Sequence, residues 1–430
     1  MKQVTGENRR FLFLQGPHGP FFDRLAGGVR AAGAQAWRVA FNRGDEVFWS
    51  DADRLIRATC PPADWPALCA DLLAEKHITD IALYGDTRPC HEAAIAAARA
   101  AGITVHIFEE GYLRPYWITY ERDGANGHSR LMDMSIAEMR ARLRGEPAPP
   151  IEAPAHWGDM RQHVFYGALY HWFVLAMNRR YPHFQPHRGL PVRREFALYL
   201  QRLGLLPLHA AQRFAATRAV RAGGFPYHLV LLQLAHDASF QRHGPFDTMD
   251  AFLALCVESF ALGAPAHHHL VFKAHPLEDG RSPQRGAISR LARRHGVAGR
   301  VHYVRGGKLA LLLDGATSAV TVNSTAGQQA LWRGLPLAAL GTAIYGKPGL
   351  VSGQPLAEFF AAPRPPDAEA YAVFRRFLLE TSQVPGGYYS RRGRAQALRR
   401  IVDMVLAADD PYTARALRSD AEPQHLRLVR

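Results

Sequence analysis

A short apolar run that ends in a polar turn constrains the fold of this chain more than any other feature. Residues 229–234 read LVLLQL, which is typical of a central strand buried on both faces of a parallel sheet. This strand end and the turn after it hold the polar side chains of Gln233, His236, Asp237, Gln241 and His243. Open α/β sheets bind ligands at the carboxyl ends of their strands, so the sequence predicts a binding site here.

Strands alternate with helices along both halves of the chain, and most strands run into a turn that contains Gly, Asp or Glu. The predicted strands cover residues 11–15, 36–41, 81–84, 103–108, 229–234, 269–273, 301–304, 319–322 and 337–340. This alternation predicts doubly wound parallel sheets. A proline-rich segment at 147–154 separates the halves, and residues 157–222 read as helices rich in aromatic and arginine side chains.

The order of these elements predicts two α/β domains joined by helices. We expect an N-terminal Rossmann-like domain (1–150), a helical connecting region (151–225), a C-terminal Rossmann-like domain (226–365), and a helical tail that packs back across the domains (366–430). This arrangement resembles the GT-B architecture of glycosyltransferases, in which two doubly wound domains face an active-site cleft. The resemblance implies that the N-terminal domain is on the acceptor side and that the C-terminal domain holds a donor nucleotide sugar.

Composition narrows the class of protein. The 430 residues are enough for two domains, and 48% hydrophobic with 21% charged residues exclude extensive disorder. The net charge of +14 indicates an anionic partner, which could be nucleic acid, an anionic membrane face or a phosphorylated substrate. No window has the roughly 18 apolar residues of a membrane span, and the N-terminus does not resemble a signal peptide. The four cysteines lack metal-ligand spacing and fit a reducing cytosol.

Two strand ends in the second half carry groups that suit a phosphate. Lys273 and His275 close one strand, where a proline fixes the turn, and Asn323, Ser324 and Thr325 lie between another strand and a helix. The N–H groups at a helix start also attract anions. Each motif has a simpler explanation, as an exposed polar turn or as a helix cap. Because both belong to one sheet, we expect them to face the same phosphate.

The first half offers carboxylates and arginines at its strand ends. Glu109 and Glu110 leave one strand together, and one of them could deprotonate an acceptor hydroxyl. The alternative is a salt bridge to Arg114 or Arg88, and Arg88 could itself hold an anionic group. His18 lies in a Gly-Pro turn that lacks the GxGxxG spacing but brings the chain close to the expected cleft.

Two further segments have competing interpretations. His267-His268-His269 resembles a metal tract, but alternation along a strand would point its members to opposite faces, so we interpret it as a non-metal segment. The helical region from His163 to Phe184 is aromatic and basic. It could be a peripheral membrane surface, or a helix buried between two domains with polar ends.

Six motifs together resemble a known family, the KpsS/LipB proteins of bacterial capsular polysaccharide biosynthesis and export. They are LQGPHGPFF (14–22), FNRGD (41–45), YGDTRPCH (84–91), FEEGYLRP (108–115), KAHP (273–276) and NSTAG (323–327). The related KpsC proteins carry two such modules in tandem, whereas this chain has one, which favours the KpsS type.

The resemblance implies a retaining β-Kdo transferase that takes Kdo from CMP-Kdo and places it on a phosphatidylglycerol-type lipid. Related enzymes have a Gln-x-x-x-Asp motif whose Asp is the nucleophile, and Gln233 and Asp237 match that spacing. His236 departs from the acidic or polar residue usual before this Asp. Gln233 or His243 could orient the nucleophile.

The rest of the site follows from the same resemblance. Lys273, His275, Ser324 and Thr325 would offset charge on the departing CMP, so no metal or other cofactor is required. The expected location is cytoplasmic, peripheral on the inner face of the inner membrane, with other capsule biosynthesis and export proteins as further partners. A non-catalytic export adaptor that binds the glycolipid and docks on the transporter is the alternative. Nucleic-acid binding has no recognisable module and is not expected.

Overall fold

Two units, each with its own sheet and core, make up the protein. The structure is a computed structural model that describes residues 5–143, 160–186, 192–278 and 282–413. Unit 1 comprises residues Met1–Arg193 and Arg375–Arg430, and unit 2 comprises Arg194–Phe374. The predicted proline-rich break at 147–154 and the end of the predicted helical tail (414–430) lie outside the described residues.

Strands and helices alternate along the described chain. The first stretch contains β1 (Arg10–Phe13), α1 (Phe21–Ala31), β2 (Gln35–Ala40), α2 (Arg43–Val47), β3 (Leu55–Arg57), α3 (Trp65–Glu75), β4 (Asp80–Tyr84), α4 (Pro89–Ala100), β5 (Thr104–Glu110), β6 (Trp117–Arg122), α5 (Ile136–Arg142) and α6 (Met160–Met177). The next contains α7 (Val192–Gly204), α8 (Leu206–Ala222), β7 (Tyr227–Leu231), α9 (Ala238–His243), α10 (Met249–Gly263), β8 (His269–Lys273), α11 (Gln284–Arg294), β9 (Val301–Val304), α12 (Ala310–Leu313), β10 (Ser318–Thr321), α13 (Gly327–Trp332), β11 (Leu337–Ala339) and α14 (Leu356–Ala361). The last contains α15 (Ala368–Glu380), β12 (Gln383–Pro385) and α16 (Arg391–Leu406).

The sheet of unit 1 has the strand order β12-β6-β5-β4-β1-β2-β3. Its five strands from β1 to β5 are parallel, and β1, β4 and β5 are largely buried on both faces. Alternate residues of β1 show why: Phe11 and Phe13 join the core on one face, whereas Leu12 joins the core on the other. Continuous apolar strands of this kind are what a parallel sheet covered by helices requires.

Three strands of unit 1 were not predicted. The antiparallel strand β6 is rich in aromatic and β-branched residues, a signal that was present in the sequence. Strands β3 and β12 have three residues each, too few for periodicity to show. Strand β12 lies in the C-terminal tail, between its helices α15 and α16. Pro385 ends β12 on the edge of the sheet, where a missing N–H is tolerated.

The sheet of unit 2 is wholly parallel, with the order β11-β10-β7-β8-β9. All five of its strands were predicted, and β7 lies at the centre with every residue buried. One face of the sheet packs on α10 through Phe252, Cys256 and Phe260. The apolar run at 229–234 therefore begins inside the central strand of this unit and extends three residues beyond its end.

The predicted fold class is confirmed: two doubly wound α/β units, helices between them in sequence, and a helical C-terminal tail. The described part of residues 157–222 is helical except at 181–186 and at the turn residue 205, and α6 belongs to unit 1, where it packs on α2. The last helix, α16, packs on α1, with Val402 against Gly28. The cleft between the domains stays a prediction. No helix within the described residues combines the length and the apolar character needed to cross a membrane.

Candidate active site

A pair of side-chain amides joins the ends of two neighbouring strands of unit 2. Gln233 follows β7, and its Nε2 donates to Oδ1 of Asn323, which follows β10, at 2.8 Å. In return, the backbone N–H of Asn323 donates to Oε1 of Gln233 at 3.2 Å. Both side chains are buried. This reciprocal pairing fixes the two loops relative to each other, so the structure brings together these two predicted residues.

Asp237 lies in the turn between β7 and α9, directly before the helix. Its backbone N–H donates to the carbonyl of Leu234 at 2.9 Å, and its own carbonyl accepts from the N–H of Gln241 at 3.0 Å. The residue is half-buried. The turn is therefore held by its backbone, and the carboxylate lies at the carboxyl end of the central strand. His243, the last residue of α9, accepts through its carbonyl from the N–H of Thr342.

Lys273 ends β8 with its ammonium group buried. Its Nζ donates to the carbonyl of Ala274 at 3.4 Å. Burial, and after it the positive charge of Arg213, lower the pKa of Lys273 to about 8. His275, two residues further on, accepts at Nδ1 from the N–H of Leu277 at 3.1 Å, so in the neutral ring the proton is on Nε2. Both residues offer donors that suit an anion.

Two arginines near this strand end were not predicted as site residues. Arg213 comes from α8 and packs against Gly307, and its charge acts on Lys273. Arg305 follows β9, and its Nη1 lies 2.9 Å from Nε2 of His209. The positive charges of Arg213 and Lys273 disfavour each other, and a bound anion would relieve this repulsion. The position of Arg305 after a predicted strand was a usable signal, whereas nothing in the sequence marked Arg213.

The segment from Asn323 to Thr325 leads into α13 but does not cap it as expected. The helix begins at Gly327, and its N-cap, Ala326, makes no side-chain cap. Instead Oγ of Ser324 accepts from the N–H of Ala326 at 3.2 Å, which forms a separate turn before the helix. With only six residues α13 has fewer than two turns, so its dipole adds little at this strand end.

The two adjacent carboxylates of unit 1 have different surroundings. Glu110 accepts from Oη of Tyr84 at 3.3 Å, whereas Oε1 of Glu109 accepts from Nδ2 of Asn126 at 3.3 Å. Neighbouring residues of a strand point to opposite faces, which explains the difference. Burial, with Glu110 as the next cause, holds the pKa of Tyr84 well above its usual value, so Tyr84 remains a neutral donor.

Arg88 and Arg114 make different contacts in unit 1. The guanidinium of Arg88 lies 5.6 Å from the ring centre of Tyr84, and its Nη1 donates to Oε1 of Gln15 at 3.3 Å. Arg114 is exposed, and its Nε donates to the carbonyl of Gly111 at 3.3 Å. Arg88 and Glu110 therefore both contact Tyr84 at the carboxyl edge of the sheet.

A buried polar network surrounds Asp45, which was not among the predicted site residues. Its carboxylate accepts from Nε2 of Gln15 at 3.0 Å and from Oη of Tyr170 at 3.2 Å, and it lies 3.6 Å from the guanidinium of Arg38. His18 stacks on the ring of Tyr170, with 4.3 Å between ring centres. Gln15, His18 and Asp45 all lie within quoted motifs, but Tyr170 comes from α6 and could not be placed from sequence.

The predicted site residues thus fall into two sets, one at the carboxyl edge of each sheet. Unit 2 holds Gln233, Asp237, His243, Lys273, His275, Asn323, Ser324 and Thr325. Unit 1 holds His18, Arg88, Glu109, Glu110 and Arg114. Within each unit the strands place these residues on one edge of a sheet. That the two sets contribute to one active site stays a prediction.

The histidine tract of unit 2 pairs its members with other histidines. Nδ1 of His269 lies 2.7 Å from Nε2 of His302, and Nδ1 of His268 lies 3.0 Å from Nε2 of His228. The described residues contain no cluster of three or more His, Cys, Asp or Glu arranged to hold a metal ion. Their four cysteines are free thiols.

The fold defines a two-unit α/β protein of the doubly wound class. Sequence comparison then gives the family. The chain belongs to the family described as "Capsule polysaccharide biosynthesis protein", whose model matches residues 79–389. The family resemblance predicted from the six motifs is therefore confirmed.

Curated relatives match nearly the whole chain. The "Capsule polysaccharide export protein KpsS" of Escherichia coli is 30% identical over 387 residues, which are 90% of this chain and 98% of the relative. The "Capsule polysaccharide modification protein LipB" of Neisseria meningitidis serogroup A is 32% identical over 402 residues, 91% of this chain and 94% of the relative. Among solved structures, a Thermosulfurimonas dismutans KpsC β-Kdo 2,7 transferase is 13% identical with a TM-score of 0.45, covering 92% of this chain and 100% of that one. The family assignment rests on the sequence matches alone.

Proposed function

We propose that this protein is a retaining β-Kdo glycosyltransferase. It transfers Kdo from CMP-Kdo to a phosphatidylglycerol-type lipid and so starts the poly-Kdo linker of a capsular polysaccharide. The observation that carries the proposal is the Gln233–Asn323 pairing, which holds the turn after β7 beside the turn after β10. Family membership and the Gln233-x-x-x-Asp237 spacing support it.

The cationic strand ends of unit 2 suit the donor phosphate. Lys273 and Nε2 of His275 offer donors after β8, and the hydroxyls of Ser324 and Thr325 follow β10 at the same edge of the sheet. Arg213 adds a charge that already acts on Lys273. A bound phosphate would raise the pKa of Lys273 and remove the repulsion between these cations, so binding of CMP and stabilisation of its departure use the same groups.

The first chemical step forms an ester with the protein. A carboxylate oxygen of Asp237 attacks the anomeric carbon of Kdo while the bond from that carbon to the CMP phosphate oxygen breaks. The electron pair of this bond leaves with CMP, whose charge the cationic groups offset. The backbone bonds of the turn, from Asp237 to Leu234 and from Gln241 to Asp237, hold the nucleophile in place.

The second step transfers the sugar to the lipid. An acceptor hydroxyl attacks the same carbon, Glu109 or Glu110 takes the hydroxyl proton, and the ester bond electrons return to Asp237. Two inversions give overall retention. The neutral Tyr84 hydroxyl that donates to Glu110 would hold that carboxylate in position during proton transfer.

The lipid acceptor places the proposed reaction at a membrane surface. We propose that the protein works on the cytoplasmic side, peripheral to the inner membrane, beside other capsule biosynthesis and export proteins. CMP-Kdo supplies both the sugar and the leaving group, so the two steps use no metal and no further cofactor.

Transfer by the purified chain tests this proposal. With CMP-Kdo and a phosphatidylglycerol analogue it should form a Kdo-lipid, and Asp237→Ala should lower turnover by about 10³-fold or more. Asp247→Asn, which changes an exposed carboxylate further along the chain, is the matched control and should keep full activity. Undiminished turnover by Asp237→Ala would reject the mechanism.

A non-catalytic export adaptor is the second candidate, favoured by the word "export" in the name of the Escherichia coli relative. An adaptor would bind the glycolipid and the transporter but would not turn over CMP-Kdo. CMP binding that is lost in His275→Ala supports a donor site and hence the enzyme. Glycolipid binding without any CMP binding supports the adaptor.

A further inference from the structure

The outward face of α6 is apolar along its length. Its exposed large side chains are Val164 (42% exposed), Phe165 (59%), Trp172 (48%), Leu175 (36%) and Met177 (45%). Phe165, Trp172 and Leu175 follow one another at intervals that keep them on one side of a helix. Large apolar side chains grouped in this way usually mark an interaction surface.

The opposite face of α6 is fixed to unit 1. Tyr170 accepts a hydrogen bond from Nδ2 of Asn42 at 2.7 Å and donates to Asp45. Val174 is 5% exposed, and the ring of Tyr166 packs against Gly19. Because these contacts set the rotation of the helix, the folded unit itself turns the Phe165 and Trp172 side chains outward.

The charged side chains of residues 160–186 are all arginines. Residues 160–186 contain no Asp or Glu. Arg161 lies at the start of α6, and Arg179 and Arg180 follow its end, all three exposed. Arg180 is 3.8 Å from Glu46, but it keeps 67% of its side chain in solvent. An apolar stripe with cations at both ends is complementary to an apolar surface that carries negative charge.

We propose that the outward face of α6 is a membrane-docking surface that lies in the headgroup region of an anionic bilayer. The Phe and Trp side chains enter the boundary of the acyl chains, and the arginines at the two ends contact anionic headgroups. This inference deepens the proposed function, since it names the surface that would meet the membrane holding the lipid acceptor. A second copy of the chain would bring the same positive charge to the contact, which disfavours self-association through this face.

Binding to lipid vesicles, measured without any donor, tests this surface. The full chain is sedimented with vesicles of equimolar phosphatidylglycerol and phosphatidylcholine. Phe165→Gln/Trp172→Gln should lower the vesicle-bound to free ratio about tenfold or more, because both inserted side chains are lost. Arg179→Gln should lower it about fivefold on these vesicles and leave binding to pure phosphatidylcholine unchanged.

The matched control removes exposed apolar side chains from unit 2. Leu262 and Trp332 are 76% and 65% exposed, so Leu262→Gln/Trp332→Gln should bind vesicles as the parent chain does. Far-ultraviolet circular dichroism and the midpoint of thermal unfolding confirm that both double variants fold. Parent-like binding by Phe165→Gln/Trp172→Gln would overturn the proposal. So would a dimer in sedimentation velocity that this variant alone abolishes.

A second readout separates this surface from the proposed enzyme activity. With a soluble short-chain acceptor and no vesicles, Phe165→Gln/Trp172→Gln should transfer Kdo at the parent rate, because these side chains lie outside the proposed active site. If the parent chain transfers no Kdo but the variant still loses vesicle binding, the function fails and the docking surface stands. If transfer occurs and the variant still binds vesicles, the docking surface fails and the function stands.

Discussion

The two sheet edges of this protein are assembled in different ways. In unit 2 nearly all the edge residues follow the unit's own strands, and the Gln233–Asn323 pair joins neighbouring loops 90 residues apart. In unit 1 the edge depends on distant segments: Tyr170 bonds Asp45 from 125 residues away, and Tyr388 donates to the carbonyl of Glu109 from 279 residues away. The edge of unit 2 is formed by short loops. The edge of unit 1 also depends on contacts from a helix and from the C-terminal segment.

The largest expected effect is on the stability of unit 1, whose sheet edge depends on contacts from distant segments. Asp45→Ala leaves the guanidinium of Arg38, which is 3% exposed, without its carboxylate, and it also removes the acceptor of Gln15 and Tyr170. Breaking a buried ion pair costs about 3–5 kcal/mol, so we expect the free energy of unfolding of unit 1 to fall by that amount. Urea titration followed by hydrogen exchange of β1 and β2 measures it.

Asp45→Asn keeps the size of the side chain and is the control for Asp45→Ala. It should cost less, because the amide oxygen still accepts one hydrogen bond. If the two variants lose the same stability, or if exchange in β7 and β8 of unit 2 rises as much as in β1 and β2, then the network is not a local property of unit 1.

The Gln233–Asn323 pair of unit 2 should contribute less to stability than Asp45 does in unit 1, and more to ligand binding. Gln233→Leu leaves the N–H and Oδ1 of Asn323 without this partner, for a loss of about 1–3 kcal/mol. Without the pair, the loops after β7 and β10 are no longer held in place relative to each other. CMP affinity should therefore fall about tenfold or more. Calorimetry measures the affinity, and Gln329→Leu, a half-buried Gln on α13, is the control. Unchanged CMP binding in Gln233→Leu contradicts the role of the pair.

Acid should destabilise unit 2 through His228. This ring is buried between Oγ of Ser318 and the ring of His268, and burial followed by His268 lowers its pKa from 6.5 to about 3. Between these values the unfolded chain binds the proton and the folded chain does not, so stability falls as the pH drops below about 6.5. The slope approaches about 1.4 kcal/mol per pH unit.

Replacement of the ring isolates this contribution to the pH dependence. His228→Asn cannot take up a proton in this range, so its stability should depend less steeply on pH between about 6 and about 4. Unfolding by urea at several pH values, followed by hydrogen exchange in β7, measures the difference. Equal slopes in the parent chain and the variant would show that other groups cause the acid sensitivity.

The smallest effect is the pH dependence of CMP binding. The charged form of Lys273 binds a phosphate, and its pKa is about 8 in the unliganded protein. Affinity should therefore be highest below this pH and fall several-fold between about pH 7 and about pH 9, where the ammonium loses its proton. Lys273→Met should bind more weakly and show a flatter profile. A parallel decline in both proteins would exclude Lys273 as the titrating group.

The difference between local loops and contacts from distant segments also explains which features could be predicted from the sequence. The five strands of unit 2 and the residues at their ends follow from short apolar runs and the turns after them, which are local patterns. The antiparallel strand β12 and the contacts of Tyr170 depend on pairing over long separations, which no local pattern records. Arg213 was missed for the same reason, because its role depends on how α8 packs near Lys273.

Detection of an ester bond between Asp237 and Kdo tests most directly the claim that Asp237 is the nucleophile. The parent chain, incubated with CMP-Kdo and no acceptor, should gain the mass of one Kdo residue, and peptide mapping should place it on the peptide that contains Asp237. Asp237→Asn should gain nothing under the same conditions. A Kdo adduct on another residue, or full transfer activity in Asp237→Ala, would contradict the proposed mechanism.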